Sequence, residues 1–170
     1  PAGGPGPVSG SRAITSGTIA ADGTVTMTAE SMNTGLSFGD GMLTIASVVS
    51  RSVTTLAPDA DAPVTTTELI IEGARVVDQA VTIDAQGIHP AGATIPASGG
   101  AFEEGLNAVL AASGLSVRTL SVGGGAGDML IITSTHPLPG SGAEGTLVWR
   151  IGGASTRIAL AETAAEPAHA

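Results

Sequence analysis

The sequence predicts a mainly β fold, an antiparallel β-sandwich or a curved sheet, with one amphipathic helix packed on it at residues 101–113. Three observations carry this expectation. Residues 42–53 and 64–71 are runs rich in β-branched side chains, separated by the turn Pro58-Asp59-Ala60-Asp61-Ala62-Pro63, the pattern of a hairpin with a longer loop. The opening of that hairpin, Met42-Leu43-Thr44-Ile45-Ala46-Ser47, is echoed by Met129-Leu130-Ile131-Ile132-Thr133-Ser134, which also leads through a proline-bearing turn into another strand. Either a duplicated strand unit or coincidence in a chain rich in Leu, Ile, Thr and Ser accounts for the echo. Between the two hairpins the period lengthens: Phe102, Leu106, Val109 and Leu110 fall at i, i+4, i+7 and i+8, one face of a helix.

Taken in order, residues 1–10, with four Gly and three Pro, read as a tail, residues 11–161 as one β-rich domain and residues 162–170 as a second tail. Strands at 13–20 and 24–31 meet at Ala21-Asp22-Gly23, where Asp-Gly is a strong hairpin signal. Val25, Met27 and Ala29 alternate with Thr24, Thr26, Thr28 and Glu30, which buries one face of the second strand. Phe38 reads as the anchor of a glycine-punctuated turn at 33–41. In the strand that follows, Leu43, Ile45, Val49 and Val53 share one face, and Thr44, Ala46, Val48, Ser50 and Ser52 the less apolar one. Gly73 ends its partner, 76–83 continue as one strand, and 88–100 read as a loop with Pro90 and Pro96.

The helix carries Glu103 and Glu104 in its first turn, where the dipole favours them, and Gly114 is its natural stop. Gly105 inside it costs about 1 kcal/mol relative to Ala, which points to a close approach to a strand. Strands at 115–122, 128–135, 146–151 and 156–160 bring the total to about nine. Leu147, Trp149 and Ile151 share a face, so Trp149 is expected to be largely buried with its indole N–H bonded to a neighbour.

Composition removes whole chemistries. Alanine supplies 28 of the apolar residues, so the core is built from Val, Ile and Leu, with Phe38, Phe102 and Trp149 as its aromatic bulk. The chain has no Cys, Tyr or Lys. Disulfides, thiolate nucleophiles, cysteine zinc sites, Schiff bases and the P-loop lysine are therefore excluded. A net charge of −9 with six Arg as the cations argues against nucleic acid and anionic membranes, whose recognition draws on Lys and Arg. No apolar run approaches the length of a membrane helix, so no membrane insertion is expected. The start at Pro1 fits a processed or excised segment.

Candidate chemistry is thin. A catalytic base would have to be His89, His136 or His169, and none lies in a nucleophile-elbow or zinc-binding motif. His89 and His136 each precede a proline and read as loop or strand-end residues. Glu103 and Glu104 are neighbours on a helix and point apart. Asp59 and Asp61 resemble the start of a calcium loop that lacks its glycine and terminal glutamate. Gly123-Gly124-Gly125-Ala126-Gly127 runs into a strand rather than a helix, so it does not form a phosphate cradle. No catalytic residue, cofactor or metal is therefore expected.

Gly35-Leu36-Ser37-Phe38-Gly39-Asp40-Gly41-Met42-Leu43-Thr44-Ile45, with Val76-Val77-Asp78-Gln79-Ala80-Val81-Thr82-Ile83-Asp84-Ala85-Gln86-Gly87, resembles the lysine-poor, Thr/Ser/Gly/Ala-rich β proteins secreted by high-GC Gram-positive bacteria. Some of these attach to the cell envelope through interchangeable C-terminal anchors. The resemblance spans about residues 14–160 and rests on glycine-strand junctions and texture. It implies an extracellular or cell-envelope location and carries over no catalytic residues.

The leading expectation is a non-enzymatic structural or binding domain whose partner is a protein or cell-envelope component, self-association included. A second reading is a carrier of an apolar small molecule, held between the sheet and the helix face of Phe102, Leu106, Val109 and Leu110. The third is a hydrolase using His89 or His136, which needs a Ser and an Asp converging on either ring. Under the first reading, replacing both histidines with Gln leaves the fold intact.

Overall fold

The computed structural model describes residues 8–92, 101–122, 127–138, 140 and 142–159, with the side chains of 101–103 outside the description. The fold is mainly β, with antiparallel sheets and a single helix among the described residues. In chain order the strands are β1 (Val8–Ile19), β2 (Val25–Phe38), β3 (Leu43–Leu56), β4 (Val64–Glu72), β5 (Arg75–Val76), β6 (Gln79–Asp84) and β7 (Gly87–Pro90). The helix α1 (Ala101–Ala112) follows, then β8 (Leu115–Leu120), β9 (Met129–Pro137) and β10 (Glu144–Gly152). The larger sheet runs β1-β2-β3-β5-β6-β7 with β4 also on β3, and the smaller runs β10-β9-β8.

Long strands shape the larger sheet. β2 and β3 each have 14 residues, and with β1 and β4 they form a four-stranded blade. Asp22 closes the β1–β2 turn by accepting a hydrogen bond from the Thr24 N–H at 2.9 Å. That bond, chiefly, lowers the Asp22 pKa. Its contribution is present above the ordinary carboxyl range and fades as pH falls through the lowered value.

β2, β3 and the β4–β5 segment change inward face at one level. On one side Leu36 and Phe38 of β2, Leu43 and Ile45 of β3, and Ala74 and Val76 are buried. On the other, the inward residues are Ala29 of β2, Val48, Ser50, Ser52 and Thr54 of β3, and Leu69 and Ile71 of β4. The step from Ile45 to Val48 is odd, so the alternation slips by one residue. The pairing register is unchanged across the slip, from Val25↔Leu56 to Phe38↔Leu43. Two left-handed glycines produce it, Gly35 (φ 61°) and Gly73 (φ 62°), which flank Ala46 of β3. A Cβ on Gly73 would lie 2.6 Å from the Ala46 Cβ, so this line needs small residues on adjacent strands.

The core lies between the sheets. Leu130 and Ile132 of β9 and Ile151 of β10 pack with Leu43, Ile45 and Val48 of β3, while Leu106 and Leu110 bring α1 against Ile88 and Leu115. Phe38 and Trp149 meet edge to face with centroids 5.2 Å apart. The echoed segments agree over their first four residues: Leu43 and Ile45 of β3 and Leu130 and Ile132 of β9 are all buried.

A polar strap ties the layers. Ser50 is fully buried and its Oγ donates to the Asp128 carbonyl at 2.8 Å while accepting from the N–H groups of Gly153 and Ala154 at 3.1 and 3.2 Å. Gly127 and Gly152 leave room for it, since a Cβ on either would approach Ser50 within 2.9 Å. Thr156 continues the contact, bonding the hydroxyls of Ser52 and Thr54 at 2.9 and 2.7 Å.

Several expectations are corrected. β1 begins at Val8, inside the stretch read as a tail, whereas 1–7 and 160–170 lie outside the described residues. Residues 33–38 continue β2, and Phe38 is buried at its end rather than in a turn. The inward face of β3 includes Val48, Ser50 and Ser52, not Val49 and Val53, because of the slip. Residues 76–83 are split by a turn at Val77-Asp78, and 87–90 form β7; residues 93–100 lie outside the description. Residues 156–159 are not a strand, and Thr156 belongs to the strap with Gly153 and Ala154. Gly105 faces open space, so no strand approach explains it. Trp149 is half-buried, Leu147 beside it is 56% exposed, and no partner for the indole N–H is found among the described residues.

Two substitutions test the packing. Gly41 and Gly73 are both left-handed, but an added Cβ meets nothing at Gly41. Gly41→Ala is expected to cost about 1–2 kcal/mol from its backbone conformation alone, and Gly73→Ala distinctly more in denaturant titration. Equal losses would mean that the glycine line tolerates bulk. Ser50→Ala leaves the buried Ala154 N–H without its partner and removes one of two bonds from the Gly153 N–H and the Asp128 carbonyl, which also bond each other, and is expected to cost about 1–3 kcal/mol; a loss within measurement error would show the strap to be dispensable.

Candidate functional site

Three places bring chemically capable side chains together. The first is the β6–β7 hairpin. Its turn at Ala85-Gln86 sets Thr82 opposite His89 and Asp84 opposite Gly87, so Asp84 and His89 are diagonal neighbours on one face. The His89 Nε2 lies 3.0 Å from the Asp84 Oδ1, with the ring almost fully buried. Asp84 also accepts from the Gln86 N–H at 2.8 Å, and its backbone carbonyl accepts from the Thr119 hydroxyl at 3.2 Å. The carboxylate is thereby held by its own turn and tied to β8.

The second is the end of β9. Ser134 and His136 are two apart on a strand and face the same way, with Ser134 Oγ and His136 Nε2 hydrogen-bonded. Such a pair has the chemistry of a nucleophile and its base. Its geometry does not serve that use, because Ser134 is 2% exposed and sits in the row Leu115–Ser134–Leu147. The hydroxyl is inside and the ring is outside. An open cleft runs past the ring, lined by the end of α1, by Thr133 and Thr135, and by Glu144. Ser134 is not among its walls.

The third is a cleft of about 350 Å³ between β4, β6 and β8, with Thr67, Glu68, Asp84, Thr119, Ser121 and Asp128 among its walls. Ser121 donates to Asp128 at 2.7 Å. Among the described residues no group of three or more His, Asp or Glu side chains is placed to hold a metal ion.

These placements bear on each expected site. His89 is a buried strand residue rather than a loop residue, with an acid at hand; His136 ends a strand, with a serine at hand. The structure does not bring Asp84 and Ser134 to the same ring. Leu106 and Leu110 of the helix face are in the core, Val109 is 39% exposed, and the side chain of Phe102 lies outside the described residues. A ligand between helix and sheet would have to displace Leu106 and Leu110. His169 also lies outside the description. The Asp84–His89 pair went unread, though Asp-Ala-Gln-Gly is a turn signal that folds these two positions together. Among the described residues no helix is long and apolar enough to cross a membrane.

The two histidines are expected to respond differently. His89→Gln removes a buried ring bonded to Asp84 and should cost about 1–3 kcal/mol in denaturant titration, whereas His136→Gln removes an exposed ring whose one buried contact is the Ser134 hydroxyl and should cost less, about 1 kcal/mol or under. The burial of His89 against Asp84 therefore argues against the expectation that both replacements leave the fold untouched. Equal effects would contradict the contrast in burial. Comparisons with protein-family models, with curated proteins and with solved structures found no match to this chain.

Proposed function

We propose that the chain is a non-enzymatic structural or binding domain, extracellular or at the cell envelope, that works through the blade β1–β4. The observation that carries this reading is the use of interior hydroxyls. Ser50, Ser52 and Thr54, the polar side chains on the inward face of the central strand, are bonded to the strap that joins the sheets. Ser134 is buried beside its histidine. These groups stabilise a scaffold.

The outward face of the blade supports a contact role. Ile14, Glu30, Arg51 and Glu68 form one row across its four strands. Arg51 bonds Glu30 at 2.8 Å, a contact that chiefly raises its pKa, and reaches Glu68 at 4.0 Å. Beside this row lie Arg12, Met32, Val49 and Ile70. Long strands joined by cross-strand pairs present such rows as a fixed pattern, which suits recognition of a protein or envelope component. The extracellular setting draws its support from the lysine-free, Thr- and Gly-rich strands.

Cosedimentation with cell-envelope fractions of the source cells tests the proposal. Binding should survive His136→Gln and weaken at least several-fold in Arg51→Glu, which reverses the sign at the centre of the row. A hydrolytic activity that His136→Gln abolished at unchanged circular dichroism and melting temperature would overturn it.

A further inference from the structure

We propose that β1 is a self-association edge: two copies of this chain join their larger sheets by antiparallel pairing of β1 with β1 about a two-fold axis at Ile14. The inference rests on the binding reading above and names the partner of the blade's free edge.

Among the described residues β1 pairs with β2 alone. Its second edge therefore presents a row of backbone N–H and C=O groups. Such edges are normally defended by proline, by a bulge, by charges, or by shortness. β1 has none of these in force. It is 12 residues long with no proline. Its register with β2 runs without an inserted residue from Val8↔Leu36 to Ile19↔Val25. Arg12 is its single charge, and Ile14 and Ile19 are 39% and 76% exposed. The outer strand β10 of the smaller sheet, by contrast, carries Glu144 and Arg150, and β8 is only six residues long.

The edge fits a second copy because its sequence tolerates its own inversion. A two-fold axis normal to the sheet makes some residue of β1 face itself. Centred on Arg12, the pairing sets two guanidinium groups against each other, which is unfavourable. Centred on Ala13, it sets Arg12 against Ile14. Centred on Ile14, the opposed pairs are Ile14 with Ile14, Ala13 with Thr15, Arg12 with Ser16, Ser11 with Gly17, Gly10 with Thr18, and Ser9 with Ile19. No like charges meet, the exposed Ile14 gains an apolar partner, and every residue but Val8 is paired. Each copy carries a net charge of −9, so their mutual repulsion makes the association stronger as salt rises.

Because the chain contains no cysteine, single-cysteine variants map the register on the whole protein. Across an Ile14-centred axis the two Cβ atoms at 14 lie about 4.5–5.5 Å apart, near disulfide reach, whereas those at 12, and those at 16, are four residues apart, roughly 13 Å. The expected result is a dimer by light scattering that tightens with salt, at least tenfold more disulfide dimer for Ile14→Cys than for Arg12→Cys or Ser16→Cys, and a monomer for Ile14→Lys. A wild-type monomer at all salt concentrations overturns the proposal, as does a dimer that Ile14→Lys leaves intact. A monomer whose β1 amides resist hydrogen exchange also overturns it, since another part of the chain would then cover the edge. Failure of these arms leaves envelope binding, read by cosedimentation with monomeric protein, as a separate result.

Discussion

The structure depends on a constraint of backbone geometry, the slip of the pleat at Gly35, Ala46 and Gly73. A strand of 14 residues with strict alternation offers one inward face along its whole length. The slip lets β3 turn Leu43 and Ile45 to the apolar core at one end, and Val48, Ser50 and Thr54 inward over the other. One sheet can then serve two different contacts, an aliphatic one with β9 and β10 and a hydroxyl-lined one with the strap. Both flanking strands must slip together, or the paired residues would no longer share faces. That accounts for glycines on both sides of Ala46 at one level.

The hydroxyl contact answers a shortage of bulk. Side chains this small cannot fill the gap between the far end of the blade and the chain beyond β10, and an apolar void there would be costly. Ser50 fills it with three hydrogen bonds in a socket made by glycines. Buried hydroxyls stabilise only when satisfied. The described interior meets that condition, with no buried side-chain polar atom lacking a partner among the described residues. Ile131 shows a related economy on the far face of the smaller sheet. It is buried although it faces away from the core, in a row between Arg118 and Arg150, whose aliphatic stems can shield it.

Much of the architecture was legible in local signals. The Asp-Gly turn, the two β-branched runs and the helical period of Leu106 and Leu110 each reflect physics acting within a few residues. What escaped reading depends on partners distant in sequence. Gly73 signals a break, but the slip needs Gly35 as well, and only pairing through β3 brings the two to one level. Ser50 reads as the weaker face of a strand until Gly153 and Ala154 arrive to donate to it. Leu147 shares its parity with Trp149 and Ile151 yet is exposed, on the outer strand of its sheet. The candidate site was less legible than the fold. His89 owes its place to a tight turn, whereas His136 and Ser134, two apart on one strand, could have been paired by strand periodicity alone.

The same reasoning separates scaffold from chemistry. A catalytic serine must combine accessibility with a base, and in this chain the two properties fall on different atoms, a buried Ser134 hydroxyl and an exposed His136 ring. Opening the row that holds Ser134 would disturb buried Leu115 beside it and Ile132 on the central strand of the smaller sheet. Val77 points the same way. A β-branched residue at φ 56° carries strain, and here it lies in a turn held by its N–H bond to the Met42 carbonyl at 2.7 Å. The strained turn therefore clamps the β2–β3 loop to the β5–β6 turn, and its cost is borne for the shape of the sheet's end.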